Sequence, residues 1–98
     1  MISFAEEALG DLERTFDFNI QRDPRAAIDH LKRIRSAILV LEQHPQIGRR
    51  IDSKTRLREL VISYGKSGYV ALYEHSLITG SIRVVAIRHQ SEAGYRGE

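Results

Sequence analysis

The chain has 98 residues, of which 42% are hydrophobic and 29% are charged, and its net charge is +2. This size and composition predict a single folded domain over residues 1–98 and argue against disorder. The sequence has no cysteine, which excludes disulfides, thiol nucleophiles and thiolate metal sites.

Membranes, metals and cofactors find no support in the sequence. No apolar run reaches the length of a membrane span, and the N-terminus lacks a signal-peptide pattern, so we expect a cytoplasmic protein with no membrane partner. The histidines lack the spacing of metal ligands, and Gly65-Lys66-Ser67 lacks the remainder of a phosphate-binding loop. We therefore expect neither a metal nor a cofactor.

Charge is distributed unevenly along the chain. Residues 1–45 hold eight acidic and six basic side chains, whereas residues 46–98 hold five acidic and nine basic ones. A basic second half favours an anionic partner, although a solvated basic face would look the same.

The first residues predict a short strand and then an amphipathic helix. Ile2-Ser3-Phe4 alternates apolar and polar side chains, and Ser3 with Glu6 fits a capping box at the helix start. Asp11 is expected on the polar face together with Glu13, Arg14 and Asp17. Apolar residues recur at helical spacing and predict the buried stripe: Phe4, Ala8, Leu9, Leu12, Phe16 and Ile20.

A second helix begins at Asp23-Pro24, because aspartate suits the N-cap and proline suits the first helical position. It should end near His44, before Pro45. Its apolar stripe comprises Ala27, Ile28, Leu31, Ile34, Ile38 and Leu41. The two helices should form an antiparallel hairpin whose apolar faces need a further element to cover them.

Three strands supply that cover. After a turn at HPQIGRR, the segments LRELVISY, GYVALYEH and SIRVVAIRH are rich in β-branched and aromatic residues and are joined by short turns. The last is apolar without alternation, which predicts a central strand. The fold is therefore predicted to be α+β, with a short N-terminal strand and a helical hairpin packed on a small twisted antiparallel sheet (β-α-α-β-β-β).

Basic and aromatic side chains on these strands form the candidate site. Arginine and imidazole groups could bind phosphate and stabilise developing charge, and tyrosines could stack on bases. The alternative is structural: Tyr69 and Tyr73 fit a half-buried strand, and the arginines have Glu59 and Glu74 as cross-strand partners. The candidates are Arg58, Tyr69, Tyr73, Arg83, Arg88, His89 and Tyr95.

Six segments in this order resemble the RelE/ParE superfamily of bacterial type II toxin–antitoxin toxins, also called plasmid-stabilisation proteins. They are AEEALGDLE, DPRAA, HPQIGRR, LRELVIS, SGYVALY and AIRHQSEAGY. The resemblance covers nearly the whole chain. It implies a toxin that a cognate antitoxin neutralises by wrapping across its surface, in a complex that can be hetero-oligomeric.

The resemblance also implies two mechanisms. RelE-like members cut messenger RNA in the ribosomal A site, whereas ParE-like members lack a full catalytic set and poison DNA gyrase. Arg58 matches the family's arginine at the start of the second strand. Tyr69 and Tyr73 match its aromatic pair on the third strand, and His89 matches the histidine of its last-strand motif. Many members carry a basic residue two places after that histidine, and here it is Ser91.

The ParE-like mechanism is the favoured expectation because Ser91 departs from the nuclease pattern. The alternative is a RelE-like endoribonuclease, in which His89, Tyr95, Arg83 and Arg88 would be catalytic. A third reading is a degenerate toxin that retains only antitoxin binding. The expected target is accordingly DNA gyrase, or the ribosome and its messenger RNA.

Overall fold

The computed structural model describes residues 1–65 and 67–90, and its elements confirm the predicted α+β class. A helical hairpin follows a short first strand and precedes the remaining strands. The elements are β1 (Ile2–Phe4), α1 (Glu6–Arg22), α2 (Pro24–Gln43), β2 (Arg49–Arg50), β3 (Leu57–Tyr64), β4 (Ser67–His75) and β5 (Ile82–His89).

All five strands belong to one sheet in the order β1-β5-β4-β3-β2. β3, β4 and β5 pair antiparallel with one another, as predicted, and β2 pairs antiparallel with β3. β1 instead runs parallel to β5, with Ile2 opposite Ile82. β5 lies between β1 and β4, which confirms its predicted central place. β2 is an addition: within the predicted HPQIGRR turn, Arg49 and Arg50 pair with β3.

The hydrophobic core lies between the two helices and one face of the sheet. It includes Ile34 and Leu41 of α2 together with Tyr73, Val84 and Ile87 of the sheet. The predicted stripes were wider than the buried faces, since about half of the Leu9 and Ile28 surfaces is exposed, as is a smaller part of Ile20. In the described part of the chain, neither helix is both long and apolar enough to cross a membrane.

The two helix starts differ in how well the sequence predicted them. The Asp23 carboxylate caps α2, accepting hydrogen bonds from the backbone N–H groups of Arg25 and Ala26 at 3.1 and 3.4 Å. The capping box predicted for α1 was wrong, because Ser3 belongs to β1 and the N-cap is Ala5, with no side-chain cap. Ala5 instead donates its N–H to the Val84 carbonyl at 2.9 Å, so sheet pairing continues up to the first helical residue.

Asp11 was also misplaced by the sequence pattern. It was expected on the polar face of α1, but it is only 3% exposed. Its carboxylate accepts a hydrogen bond from the backbone N–H of Ile87 at 2.8 Å and one from Arg14 at 3.0 Å. β1 pairs with β5 only up to Val84, so the following residues of β5 have no strand beside them on that side. The Asp11 carboxylate supplies the acceptor that a strand would otherwise provide there.

A β-bulge in β5 decides which residues share a face. Leu72 lies opposite Ala86 but Tyr73 lies opposite Val84, so Val85 is an extra residue on β5. As a result, Val84 and Ile87 both belong to the core, although strict alternation would put them on opposite faces.

Candidate functional site

A groove lies where the helical hairpin meets the ends of β4 and β5. It has a volume of about 700 Å³. We call it the His30 groove, and its lining residues are Arg14, Thr15, Phe18, Asn19, Arg22, Asp23, Ala26, His30, Tyr69 and His89.

One wall of the His30 groove is a face of α1. Arg14, Phe18 and Arg22 follow each other at intervals of four residues and therefore lie on the same side of the helix. Phe18 is 51% exposed, and the Arg22 guanidinium lies over its ring at 5.1 Å from the centroid. This wall thus presents an aromatic ring with a cation beside it.

A linked set of imidazole and phenol rings adjoins this wall. The Tyr69 hydroxyl is hydrogen-bonded to His30 Nδ1 at 2.7 Å, and Asn19 Nδ2 donates to the same hydroxyl at 3.4 Å. The His89 ring meets the Tyr69 ring edge-on with centroids 5.6 Å apart, and His30 stacks on Tyr64 at 4.0 Å. The tautomer of His30 decides which of the two groups donates in the bond between the Tyr69 hydroxyl and Nδ1.

The environment of His30 favours the neutral ring. Burial lowers its pKa, the nearby His89 lowers it further, and Asp29 acts weakly in the opposite sense. His30 therefore becomes protonated only at a pH below the ordinary titration range of histidine.

This pKa predicts a pH dependence of stability. In the unfolded chain His30 titrates near its usual pKa of about 6.5, so below that pH the unfolded state binds the proton first and folding stability falls. We expect His30→Gln to reduce the loss of unfolding free energy between about pH 7 and pH 5, measured by urea denaturation. His44→Gln removes an exposed imidazole from the far end of α2 and is the control. Equal losses in wild type and His30→Gln would contradict the prediction.

Two of the predicted site residues lie together in this groove, and two others lie elsewhere. Tyr69 and His89 form part of its wall. Tyr73 is fully buried; its hydroxyl donates to the Pro45 carbonyl and accepts from the Gly48 N–H, both at 2.9 Å. Burial raises the pKa of Tyr73, against smaller opposing effects of the Gly48 N–H and Arg58.

Arg58 lies beside the same turn. It donates to the Gly48 and Gln46 carbonyls at 2.7 and 3.2 Å and is paired with Tyr73 across the strands. Together these contacts fasten the HPQIGRR turn to the sheet, away from the groove.

The remaining described candidates, Arg83 and Arg88, are held by acidic side chains. Arg83 lies 3.9 Å from Glu74, and Arg88 contacts Glu7 at 2.8 Å and Asp11 at 3.6 Å. Arg83 and His89 are at opposite ends of β5, roughly 20 Å apart at the usual rise per residue. The bulge also puts the two side chains on opposite faces, so they do not meet. Tyr95 and Ser91 lie outside the described residues.

Sequence reasoning missed His30, Phe18 and Arg22 as groove residues. A signal for His30 was present, since it follows Ala27 by three residues and precedes Ile34 by four, within the apolar stripe of α2. Phe18 and Arg22 look like ordinary surface residues in the sequence. Within residues 1–65 and 67–90, no three acidic or histidine side chains are grouped so that they could hold a metal ion.

The architecture itself is shared with a known toxin–antitoxin complex. A chain of the solved structure titled "Chromosomal ParDE TA system from P. aeruginosa" superposes with a TM-score of 0.73 at 18% identity, over 89% of this chain and 91% of that one. This similarity establishes the fold.

Sequence comparison gives the family. The family model described as "ParE toxin of type II toxin-antitoxin system, parDE" matches residues 2–94, and the chain therefore belongs to this family of type II toxins. It is also similar to two toxins of Caulobacter vibrioides. Toxin RelE1 is 34% identical over 82 residues, 84% of each chain, and Toxin RelE3 is 31% identical over 91 residues, 93% of this chain and 95% of the relative. The protein is thus the toxin of a type II toxin–antitoxin pair, and its partner is an antitoxin.

Proposed function

We propose that this toxin arrests growth in the cytoplasm by poisoning DNA gyrase. The observation that supports this mechanism most is the dispersal of the predicted nuclease cations. Cleavage of an RNA strand needs a base, an acid and cations around one phosphate. Arg83 and His89 are instead on opposite faces at opposite ends of β5, and Arg88 is engaged by Glu7 and Asp11. A toxin that acts as a binder needs no such convergence.

The second candidate is ribosome-dependent cleavage of messenger RNA, and one feature favours it. The His30 groove brings two imidazoles and a phenol together, with the Tyr69 hydroxyl 2.7 Å from His30 Nδ1. Such groups can exchange protons with a ribose hydroxyl or a leaving oxygen. The relatives named RelE1 and RelE3 are in keeping with this alternative.

A direct test is brief induction of the toxin in a bacterial host, with DNA and protein synthesis followed separately. We expect thymidine incorporation to stop before methionine incorporation, together with filamentation and DNA-damage signalling. Purified toxin should also convert gyrase and plasmid into cleavage complexes, and the cognate antitoxin should prevent this. Early arrest of translation, with messages cut at ribosome-occupied codons, would contradict gyrase poisoning and support the nuclease.

Two predicted site residues, Arg83 and His89, lie on opposite faces of β5, and their contribution to toxicity can be tested in the same assay. The double variant Arg83→Ala with His89→Ala is expected to lose growth arrest while it still folds and binds antitoxin. Arg25→Ala, which removes an exposed cation at the start of α2, should remain toxic. Full toxicity of the folded double variant would remove both residues from the working surface. Absence of any arrest in wild type would support a toxin that retains only antitoxin binding.

A further inference from the structure

The His30 groove has the size of a small-molecule site. Its volume of about 700 Å³ lies within the range of about 300–1,000 Å³ usual for such sites. It also combines aromatic rings, a cation and side-chain amide and hydroxyl groups on two walls that belong to different elements.

Aromatic surface in the groove favours a flat ring system. Phe18 exposes about half of its surface on the α1 side, and His89 also lines the groove, whereas Tyr69 is almost fully buried. An exposed phenylalanine gains from a ligand that removes its ring from water. Nucleobases stack favourably on such rings whatever their identity, because every base has a π-face.

A cation covers one face of the exposed aromatic ring. The Arg22 guanidinium lies over the Phe18 ring, 5.1 Å from its centroid, so a base would stack on the opposite face and an anion held by the guanidinium would lie at the rim of the ring. A guanidinium binds phosphate oxygens through two parallel hydrogen bonds. Arg14, the other cation of this wall, already contacts the Asp11 carboxylate at 3.0 Å. The groove thus favours a ligand with one phosphate.

Asn19 adds a group that can read a base edge. Its Nδ2 donates to the Thr15 carbonyl at 2.9 Å and to the Tyr69 hydroxyl, which fixes the orientation of the amide. Its Oδ1 is an acceptor suited to an exocyclic amino group such as that of adenine.

The surrounding charge disfavours a long nucleic-acid strand. Residues 11–30, which carry most of the groove, hold five acidic and three basic side chains. A strand that continued beyond the groove would bring further phosphates against Asp17, Asp23 and Asp29, in a stretch whose acidic side chains outnumber its basic ones. A free nucleotide avoids this repulsion.

We propose that the His30 groove is a binding site for a free nucleoside monophosphate. The base stacks on Phe18, Asn19 accepts a hydrogen bond from the base, and the phosphate is held by Arg22. This proposal does not depend on whether the cellular target of the toxin is gyrase or the ribosome.

Calorimetric titration of the purified toxin with AMP, adenosine and ribose 5-phosphate tests both parts of the site. We expect AMP to bind at least about tenfold more tightly than either fragment, because only AMP can use the aromatic wall and the cation together. AMP that binds no better than ribose 5-phosphate would contradict the stacking. No saturable binding of AMP would overturn the proposal.

Three variants assign the contacts. Arg22→Gln should weaken AMP about tenfold and leave adenosine unchanged, whereas Phe18→Leu should weaken AMP and adenosine alike. Arg25→Gln removes the same charge from a nearby exposed position that does not line the groove, and it should bind AMP as wild type does. If Arg25→Gln weakened AMP binding as much as Arg22→Gln does, the effect would come from long-range electrostatics, and this would contradict the site. The variants change exposed side chains, and a melting curve checks that each is folded.

A competition experiment distinguishes the free nucleotide from a strand. We expect a short oligoadenylate to displace AMP no better than AMP itself does. Tighter binding by the oligonucleotide would assign the groove to a nucleic-acid strand and overturn the proposal of a free ligand.

Discussion

Asp11→Ala is expected to lower the free energy of unfolding by about 3–4 kcal/mol. The Asp11 carboxylate is almost wholly buried and accepts the Ile87 backbone N–H at 2.8 Å. Alanine would leave that N–H without its acceptor and remove the carboxylate that Arg14 and Arg88 contact. This loss is large compared with the total of about 5–15 kcal/mol that holds a small domain folded.

Two further variants separate the parts of this effect. Asp11→Asn keeps an oxygen that can accept the Ile87 N–H but loses the charge. We therefore expect its free energy of unfolding to lie between those of wild type and Asp11→Ala. Glu7→Ala removes the other carboxylate on Arg88, and this pair is largely exposed, so its loss should be at most about 1 kcal/mol. Urea denaturation gives all three values. A Glu7→Ala variant as unstable as Asp11→Ala would show that the buried hydrogen bond is not the source of the stability.

Asp11 also illustrates a limit of helical periodicity. An aspartate between Gly10 and Leu12 on an amphipathic helix is read as solvent-facing. Its actual place depends on a tertiary feature, namely that β1 is only three residues long and leaves the next part of the β5 edge without a strand. A buried backbone N–H requires an acceptor, and α1 supplies one. Nothing local to residues 6–22 reports that need.

The elements themselves were predictable because their signals are local. The N-cap at Asp23, the end of α2 before Pro45 and the three long strands all follow from residue types and spacing within each segment. The parallel pairing of β1 was not predictable in this way, since it joins residues about 80 positions apart, with Ile2 opposite Ile82.

In the candidate site, too, the local pattern was predictable and the tertiary arrangement was not. Strict alternation along β5 would put Arg83 and His89 on one face, six residues apart. Because of the bulge at Val85, the Arg83 side chain lies on the opposite face from His89 and on the same face as Arg88. One extra residue in a strand therefore decides which cations can act together, and neither composition nor spacing predicts where a bulge will form.

Two glycines of this chain should respond to alanine with opposite signs. Gly48→Ala is expected to destabilise the fold by about 2–3 kcal/mol, because the new Cβ has no room. It would lie 2.6 Å from the Tyr73 ring and hydroxyl and 2.8 Å from the Glu59 carbonyl oxygen. Gly10→Ala, inside α1 with nothing beyond its own helix backbone within 4 Å of the new Cβ, should stabilise it by about 0.5–1 kcal/mol.

The reason for the Gly48 effect lies in the contacts that fix the turn before β2. The Tyr73 hydroxyl joins the Pro45 carbonyl to the Gly48 N–H, and Arg58 donates to the Gly48 carbonyl. These bonds require the backbone of residue 48 to approach the Tyr73 ring more closely than any side chain allows. Accommodating a methyl group would push the turn outward and break hydrogen bonds of a fully buried tyrosine, whose hydroxyl would then lack partners.

Thermal or urea unfolding of the two glycine variants measures this contrast directly. If Gly48→Ala were as stable as wild type while Gly10→Ala gained stability, the turn would have to yield easily, and the contacts of Tyr73 and Arg58 would contribute little. In that case Tyr73 could serve as the binding residue that the resemblance implies. If only Gly48→Ala loses stability, the Tyr73 hydroxyl holds the turn. It could then bind a partner only by giving up its hydrogen bonds to Pro45 and Gly48.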